Sequence, residues 1–288
     1  MKLLYPHSLQ GIEAWAASNK MRVSEAKFRF AQYGVLQAVA DSQLLSQTLV
    51  FKGGNALDFV WHPNRSTIDL DFSSRDSTLT GERIKQLLEP SLNRVSRTTA
   101  VLYRVQRMEQ QPRGPNRRFI TFDGKIGYAL PDDRRNREFI QQNQNSKATV
   151  PIEISLNEPI CGIVNVDVES TNALVVCQLE DIVAEKLRAL LQQPIRNRSR
   201  PQDVLDICVV LRGYKDIDIR LVAEFLIQKA ASRNVPVSLP AFHQDEIRVR
   251  AFEGYEELEA TTRTSFIPFD EAFADVLAFV DRLPLPKA

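Results

Sequence analysis

Strand-like sequence patterns are confined to the first 178 or so residues of the chain, and only helical periodicity follows. Short apolar segments bounded by turn residues predict four strands: TLVFKGG, STIDLDF, VPIEISLNEP and NALVVCQ. Later segments such as LEDIVAEKLRALLQQ and DEAFADVLAFVDRL repeat apolar residues at helical spacing. We therefore predict an α+β fold, with a mixed β-sheet domain over residues 1–175 and an all-helical domain over residues 176–288.

Other segments of the first domain give less uniform patterns. RVSEAKFRFAQYGVLQAVADS predicts an amphipathic helix over residues 22–42, and GERIKQLLEPSLNRV predicts a second helix. RFITFDGKIGYAL indicates one strand or a hairpin, and RRNREFIQQNQNSK reads as a polar loop.

Charge and hydropathy exclude several classes of protein. A net charge of +1 argues against a globally basic nucleic-acid binder, although it leaves room for a local basic groove. No apolar run approaches the roughly 20 residues that a membrane-spanning helix needs. The apolar run at the start, MKLLY, is too short for a secretory signal. We expect a soluble cytoplasmic protein that does not contact a membrane.

Cysteine and histidine offer little chemistry. The three cysteines lie in apolar segments without metal-ligand spacing, which predicts buried reduced thiols at Cys161, Cys177 and Cys208. The three histidines are scattered along the chain, which disfavours zinc chemistry and a Ser-His-Asp triad. Carboxylates and basic residues must therefore carry any catalytic chemistry.

Acidic residues alternate with apolar ones in TIDLDF. Alternation along a strand puts Asp69 and Asp71 on one face. The residues predicted for the opposite, core-facing side are Ile68, Leu70 and Phe72. Two carboxylates this close repel each other unless a cation neutralises them or one is protonated. A simpler interpretation is an edge strand whose acids prevent pairing with other chains.

The strand PIEIS repeats the alternation and presents Glu153 on the face opposite its isoleucines. If the two acidic strands are neighbours, Glu153 joins Asp69 and Asp71. Oxygen-only ligands favour Mg²⁺ or Mn²⁺, and one acid would remain as a general base. Alone, Glu153 also fits a surface position on a strand.

A glycine pair, Gly53 and Gly54, ends one predicted strand just before a short helical segment. Glycines let a phosphate approach backbone N–H groups, and a helix start adds a favourable dipole. A glycine pair followed by a strand with an Asp-x-Asp pattern predicts a site for phosphates and divalent cations.

These motifs resemble the AbiEii/AbiGii toxin group of the DNA polymerase β-type nucleotidyltransferase superfamily. FKGGNAL is similar to its Lys-Gly-Gly-Thr-x-Leu motif, and RSTIDLDF to its Arg-x-Ser/Thr-x-Asp-hydrophobic-Asp motif. LEDIVAEKLRAL and SRPQDVLDI are similar to its Ala-Glu-Lys-Leu and Arg-x-x-Asp-x-x-Asp helical motifs. The resemblance spans roughly residues 30–210 and implies a nucleotidyltransferase-like fold.

The resemblance also assigns roles to individual residues. The nucleotide-binding positions are Lys52, Gly53, Gly54, Asn55, Arg65 and Ser66. The catalytic positions are Asp69, Asp71, Glu153, Lys186 and Asp203, of which Asp69, Asp71 and Glu153 would bind the metal. Asn55 departs from the family pattern, which usually has a hydroxyl residue there.

The activity implied by the resemblance is Mg²⁺- or Mn²⁺-dependent transfer of a nucleoside monophosphate from an NTP to an acceptor hydroxyl. The acceptor could be tRNA or another RNA, and the protein would be the toxin of a type IV toxin–antitoxin or abortive-infection pair. Its antitoxin would be encoded nearby and form no stable complex with it. Two other classes stay open: a nucleotide-binding module without turnover, and an RNA-binding protein.

Lys186 falls inside the apolar arc of its predicted helix, between Ile182 and Leu190. A lysine there needs an anion or a cleft for its ammonium group, and a bound phosphate would satisfy this need. Asp203 fits a catalytic role or a favourable place in the first turn of a helix. Arg65 fits a triphosphate contact or an ion pair with a nearby acid.

Two arginine-rich stretches fit solvated loops by default, and a groove for an RNA backbone as the alternative. The arginines are Arg104, Arg107, Arg113, Arg117 and Arg118 in the first stretch and Arg196, Arg198 and Arg200 in the second.

Overall fold

The computed structural model describes residues 9–19, 21–61, 64–65, 67–114, 117–264 and 266–287. The chain divides into two compact units that are discontinuous in sequence. Unit 1 takes its described residues from Met1–Ala56, Ile68–Glu158 and Val164–Val176. Unit 2 takes its described residues from Leu57–Thr67, Pro159–Ile163 and Cys177–Ala288.

The described strands form one seven-stranded mixed sheet, which confirms the predicted α+β class. The strands are β1 (Leu49–Lys52), β2 (Leu70–Ser74), β3 (Leu102–Gln111), β4 (Ile120–Ala129), β5 (Thr149–Leu156), β6 (Ile163–Val166) and β7 (Leu174–Cys177). Their order in the sheet is β3-β4-β5-β2-β1-β7-β6. Strand β2 runs antiparallel to β1 and parallel to β5, so the two acidic strands are neighbours, as the sequence analysis supposed.

The helices of unit 1 include both predicted ones. They are α1 (Leu9–Ser18), α2 (Val23–Asp41), α3 (Gln43–Thr48), α4 (Gly53–Ala56), α5 (Gly81–Thr99) and α6 (Arg134–Gln141). Helix α2 is buried at every position from Arg29 to Ala40, which makes it the central support of this unit.

One face of the sheet is apolar at its centre. Phe51 of β1 pairs in register with Phe72 of β2, and Ile154 of β5 pairs with Phe72 and with Phe122 of β4. All four side chains are buried, and the rings of Phe51 and Phe72 lie 5.2 Å apart. Because side chains alternate along a strand, the residues one position away project from the opposite face.

Helices α2 and α5 cover the apolar face. The Tyr103 hydroxyl of β3 donates a 3.2 Å hydrogen bond to the Ala31 carbonyl of α2. Gly81, which begins α5, lies so close to Phe122 that an added Cβ would be 3.3 Å from its ring. The polar face of the central strands is the side away from these two helices.

Strand β2 begins later than predicted. Its ladder starts at Leu70, so Ile68 and Asp69 precede the strand. Ile68 was predicted to share the buried face with Leu70 and Phe72, but it is 64% exposed. That prediction is wrong because alternation decides the face of a side chain only inside a paired strand.

Further elements differ from the sequence-based expectation, and β3 and α6 show why. Strand β3 was missed because a register shift between Val105 and Arg107 breaks its alternation. The predicted polar loop contains helix α6, which begins at an Asp133 cap that accepts the backbone N–H of Asn136 at 3.1 Å. This helix has no buried residue, so no apolar stripe marks it in the sequence.

Unit 2 is helical, as predicted for the later part of the chain. It contains a π-helical turn (Leu57–Trp61), α7 (Leu179–Arg196), α8 (Pro201–Gly213), α9 (Ile219–Ser232), α10 (Leu239–Phe242), α11 (Asp245–Phe252), a 3₁₀ turn (Glu256–Thr261) and α12 (Phe269–Val280). Fully buried side chains such as Leu187, Val204, Leu226 and Tyr255 form its core. Residues 57–67 and 159–163 belong to this unit although they precede the predicted boundary.

The three cysteines are free thiols. Cys177 and Cys208 are buried as predicted, whereas Cys161 is only half-buried. Burial raises the pKa of the Cys161 thiol to about 11. Among the described helices, none combines the length and apolar character needed to cross a bilayer.

Candidate active site

Four charged residues stand side by side on the polar face of the sheet. Lys52 of β1 pairs in register with Asp71 of β2, and Asp71 pairs with Glu153 of β5. Glu153 in turn pairs with Asp123 of β4. Register partners project from the same face, and neighbouring strands lie about 4.8 Å apart. We call Lys52, Asp71, Glu153 and Asp123 the charged row.

The alternation of the two acidic strands explains half of this arrangement. Asp71 is half-buried and Glu153 is exposed, while the residues next to them, Phe72 and Ile154, are buried on the other face. The structure therefore brings together two of the three predicted acids by direct strand pairing.

Asp69, the third predicted acid, lies one residue before β2 and has an exposed side chain. Partial desolvation, and then the negative charge of Asp123, raise the pKa of Asp69. Desolvation also raises the pKa of Glu153, with further contributions from Asp69 and Asp123, while Lys52 opposes them. Asp69 therefore belongs to the same electrostatic environment as the charged row without being part of the ladder.

Gly53 has a structural reason to be glycine. Its φ is +74°, a backbone conformation that residues other than glycine rarely adopt. A Cβ at this position would also lie 2.3 Å from Oδ2 of Asp71. The glycine therefore leaves room for the Asp71 carboxylate, and its predicted phosphate contact stays a prediction.

Sequence reasoning missed one acid of the row, Asp123, and one acid beside it, Glu158. Asp123 accepts a 2.5 Å hydrogen bond from Nη2 of Arg107. Two of the arginines assigned by default to a loop, Arg104 and Arg107, lie on strand β3. Glu158 forms an ion pair with Lys52 and accepts a 3.0 Å hydrogen bond from the Ser73 hydroxyl. Alternation in RFITFDG marks Asp123 as polar-facing, but only the strand order puts it beside Glu153.

The donor chemistry of the row fits a magnesium or manganese ion. Asp71 and Glu153 supply only oxygen atoms, which these ions prefer. Among the residues that the structure describes, no three His, Cys, Asp or Glu side chains converge on a common metal position. Mg²⁺ is usually bound by one or two carboxylates together with substrate phosphates rather than by a protein cage, so two neighbouring carboxylates suffice for this chemistry.

A second charged cluster lies inside unit 2. Nζ of Lys186 donates to Oδ1 of Asp203 and to Oδ2 of Asp206, each at 2.8 Å. Arg65 donates to both carboxylate oxygens of Asp206, at 3.1 and 3.3 Å. Lys186, Asp203 and Asp206 are buried. Two cations thus face two anions in this network.

These ion pairs account for the lysine within the apolar arc. Burial alone would lower the pKa of Lys186, but Asp203 and Asp206 raise it above its usual value. Burial alone would raise the pKa of Asp206, but Lys186 and Arg65 hold it below its usual value. Carboxylates therefore provide the anion that the buried ammonium needs. Arg65 forms the ion pair that one of its two interpretations predicted, and its nucleotide contact stays a prediction.

The remaining predicted positions have different surroundings. Asn55 is fully buried and Gly54 is half-buried. Ser66, which was predicted to bind nucleotide, lies outside the described residues. The catalytic assignments of Lys186 and Asp203 stay predictions.

Residues 35–278 match the family model described as nucleotidyl transferase AbiEii toxin of type IV toxin–antitoxin systems. Because the match covers most of the chain, the protein belongs to this family and is a nucleotidyltransferase. A search of curated proteins found no match to the sequence.

Solved structures show the same fold at low sequence identity. MenT4, a nucleotidyltransferase toxin from Mycobacterium tuberculosis H37Rv, superposes with a TM-score of 0.56 and 16% identity, covering 94% of this chain and 90% of that chain. JHP933 from Helicobacter pylori gives a TM-score of 0.51 and 13% identity, covering 90% of each chain. A structure described as a putative nucleotidyltransferase from H. pylori gives a TM-score of 0.54 and 13% identity, covering 91% of this chain and 95% of that chain.

The contact between Gly53 and Asp71 predicts a specific loss of stability. Gly53→Ala adds backbone strain and a clash with the carboxylate, whereas Gly114→Ala adds strain alone, since Gly114 has a φ of +102° and open space around its Cβ position. Gly53→Ala should reduce the free energy of unfolding by about 1–3 kcal/mol more than Gly114→Ala. Urea denaturation measures the difference, and equal losses would contradict the described contact.

The buried network of unit 2 predicts a large effect of Lys186→Met. The change leaves Asp203 and Asp206 without their lysine and should cost about 3–5 kcal/mol of unfolding free energy at neutral pH. The loss should shrink as pH falls through about 4, because the pKa of Asp206 rises without Lys186 and protonation then removes the unpaired charge. Chemical denaturation between neutral and acidic pH tests both points.

The control for Lys186→Met is Lys27→Met, which breaks a more exposed ion pair with Asp132. Its cost should stay within about 1 kcal/mol. A loss for Lys186→Met no larger than that of the control would mean that the buried network contributes little to folding.

Proposed function

We propose that the protein transfers a nucleoside monophosphate from an NTP to an acceptor hydroxyl, and that the charged row is its catalytic face. The supporting observation is the register that puts Lys52, Asp71, Glu153 and Asp123 side by side on the sheet face away from α2 and α5. Membership of the AbiEii family supports the reaction class.

In this reaction an oxygen of the acceptor hydroxyl attacks the α-phosphorus of the NTP. A new P–O bond forms, the bond to the β-phosphate breaks, and pyrophosphate leaves. Negative charge shifts between the phosphate groups during this reaction. The main tasks of the protein are therefore to position the NTP and the acceptor hydroxyl and to compensate the phosphate charge.

The residues of the row and its surroundings divide these tasks. Asp69, Asp71 and Glu153 would hold Mg²⁺ or Mn²⁺. When bound, this ion would neutralise phosphate charge and orient the triphosphate. Lys52, which pairs in register with Asp71 and forms an ion pair with Glu158, would contact the phosphates as a cation. Glu153, whose side chain is exposed, would either help to hold the ion or, if it does not bind the ion, accept the proton of the acceptor hydroxyl.

We propose RNA, with tRNA as the first candidate, as the source of the acceptor hydroxyl. The long β3–β4 hairpin supports this choice because exposed arginines lie where its strands meet. Arg113, Arg117 and Arg118 are all exposed, and such a cluster suits the phosphates of an RNA backbone.

The family description also supports a role in a toxin–antitoxin system. We propose that the protein is the toxin of a type IV pair whose antitoxin is encoded nearby. This antitoxin would oppose the toxin's effect without forming a stable complex with it.

A label-transfer assay tests the reaction. Purified protein is incubated with each α-labelled NTP, Mg²⁺ and total cellular RNA, and the RNA is resolved on a gel. Label should appear on an RNA band with the unaltered protein, and Asp71→Asn should reduce transfer by at least about 100-fold. Asp71→Asn keeps the side-chain shape, so its folding should be intact by circular dichroism.

The matched control is Asp132→Asn, which changes a half-exposed acid that is paired with Lys27. Transfer should be unchanged in this variant. Equal activity in Asp71→Asn and Asp132→Asn would rule out the charged row as the catalytic face. Absence of transfer to RNA with every NTP would reject the RNA acceptor.

A further inference from the structure

The backbone that carries Asp69 lies just before the paired part of the sheet. The paired residues of β2 begin with Leu70, so Ile68 and Asp69 precede the first register pair. Both side chains are exposed, Ile68 at 64%. A segment of this kind is poorly fixed unless other groups bond its backbone.

Two buried amide side chains provide these bonds. Nε2 of Gln32 donates to the Ile68 carbonyl at 2.8 Å, and Nδ2 of Asn55 donates to the Asp69 carbonyl at 2.6 Å. Both amide side chains are 0% exposed. We call Gln32 and Asn55 the amide clamp.

The clamp is anchored in rigid parts of unit 1. Gln32 lies in the middle of α2, within the stretch that is buried at every position. Asn55 lies in α4, which directly follows strand β1 of the sheet centre. An amide buried without a hydrogen bond is costly, so each of these bonds stabilises both the buried amide and the segment before β2.

We infer that Gln32 and Asn55 are positioning residues that aim the Asp69 carboxylate at the metal-bound triphosphate. Two hydrogen bonds to consecutive carbonyls fix the position and the orientation of the backbone that carries this acid. The inference rests on the proposed function and extends it to Gln32, which lies outside every motif that the sequence analysis used. It also assigns Asn55 a role through the Asp69 backbone.

The test compares two buried amides on the same helix. Gln32→Met keeps the length of the side chain and removes the donor. Gln37→Met is the matched control, since Gln37 is 6% exposed and its Nε2 donates to the Val168 carbonyl at 3.0 Å. Each variant loses a buried side-chain hydrogen bond to a backbone carbonyl, and urea denaturation checks that each variant still folds.

The two variants should differ in kcat. A misplacement of about 1 Å at a reacting group can cost about 100-fold in rate, so Gln32→Met should lower kcat by roughly 10- to 100-fold. The KM for NTP, measured at saturating Mg²⁺, should change little, because Lys52 and Asp71 are untouched. Gln37→Met should keep the kcat of the unaltered protein. Equal kcat values in the two variants would overturn the inference.

A metal-binding measurement distinguishes a failure of the amide clamp from a failure of the proposed function. Electron paramagnetic resonance can titrate Mn²⁺ into each protein in the presence of ATP, without turnover. Gln32→Met should bind Mn²⁺ more weakly than Gln37→Met, even if transfer to RNA is not found. Equal Mn²⁺ affinities in the two variants would overturn the clamp, and no Mn²⁺ binding by the unaltered protein would overturn the clamp and the proposed function together.

Discussion

The pairing of strand β2 between β1 and β5 is the constraint on which the candidate site depends. In this register Phe72 packs into the core and Asp71 stands between Lys52 and Glu153. A shift by one residue would turn the acid into the core and the phenylalanine toward solvent. The apolar face beneath α2 and α5 therefore determines which acids share the polar face, because burial of the aromatic and aliphatic side chains fixes the register.

The sequence was sufficient for features that depend on local pattern. Period-two alternation predicted the faces of Asp71 and Glu153, and helical periodicity identified Lys186 as a cation within an apolar arc. Features that depend on tertiary pairing could not be read from it. Asp123 joins the row only because β4 pairs with β5. Asp69 lies before the ladder because β2 starts at Leu70, the residue after it.

The charged cluster of unit 2 and the charged row arrange their charges in opposite ways. The cluster of Lys186, Arg65, Asp203 and Asp206 balances its charges within unit 2 through close ion pairs. The charged row instead places acids next to one another. Desolvation first, and then the negative charges of Asp69 and Asp123, raise the pKa of Glu153. Like charges gathered at the surface of a sheet weaken folding unless a cation joins them, which is the expected cost of a face that binds a metal–nucleotide complex.

The most direct measurement of the central claim is a crystal structure with Mn²⁺ and a non-hydrolysable NTP analogue, using anomalous scattering to locate the ion. The account predicts an anomalous peak about 2.1 Å from a carboxylate oxygen of Asp71, with the triphosphate lying along the charged row beside Lys52. A nucleotide bound elsewhere, or an ion without contact to Asp71, would contradict the assignment of this face as the catalytic one.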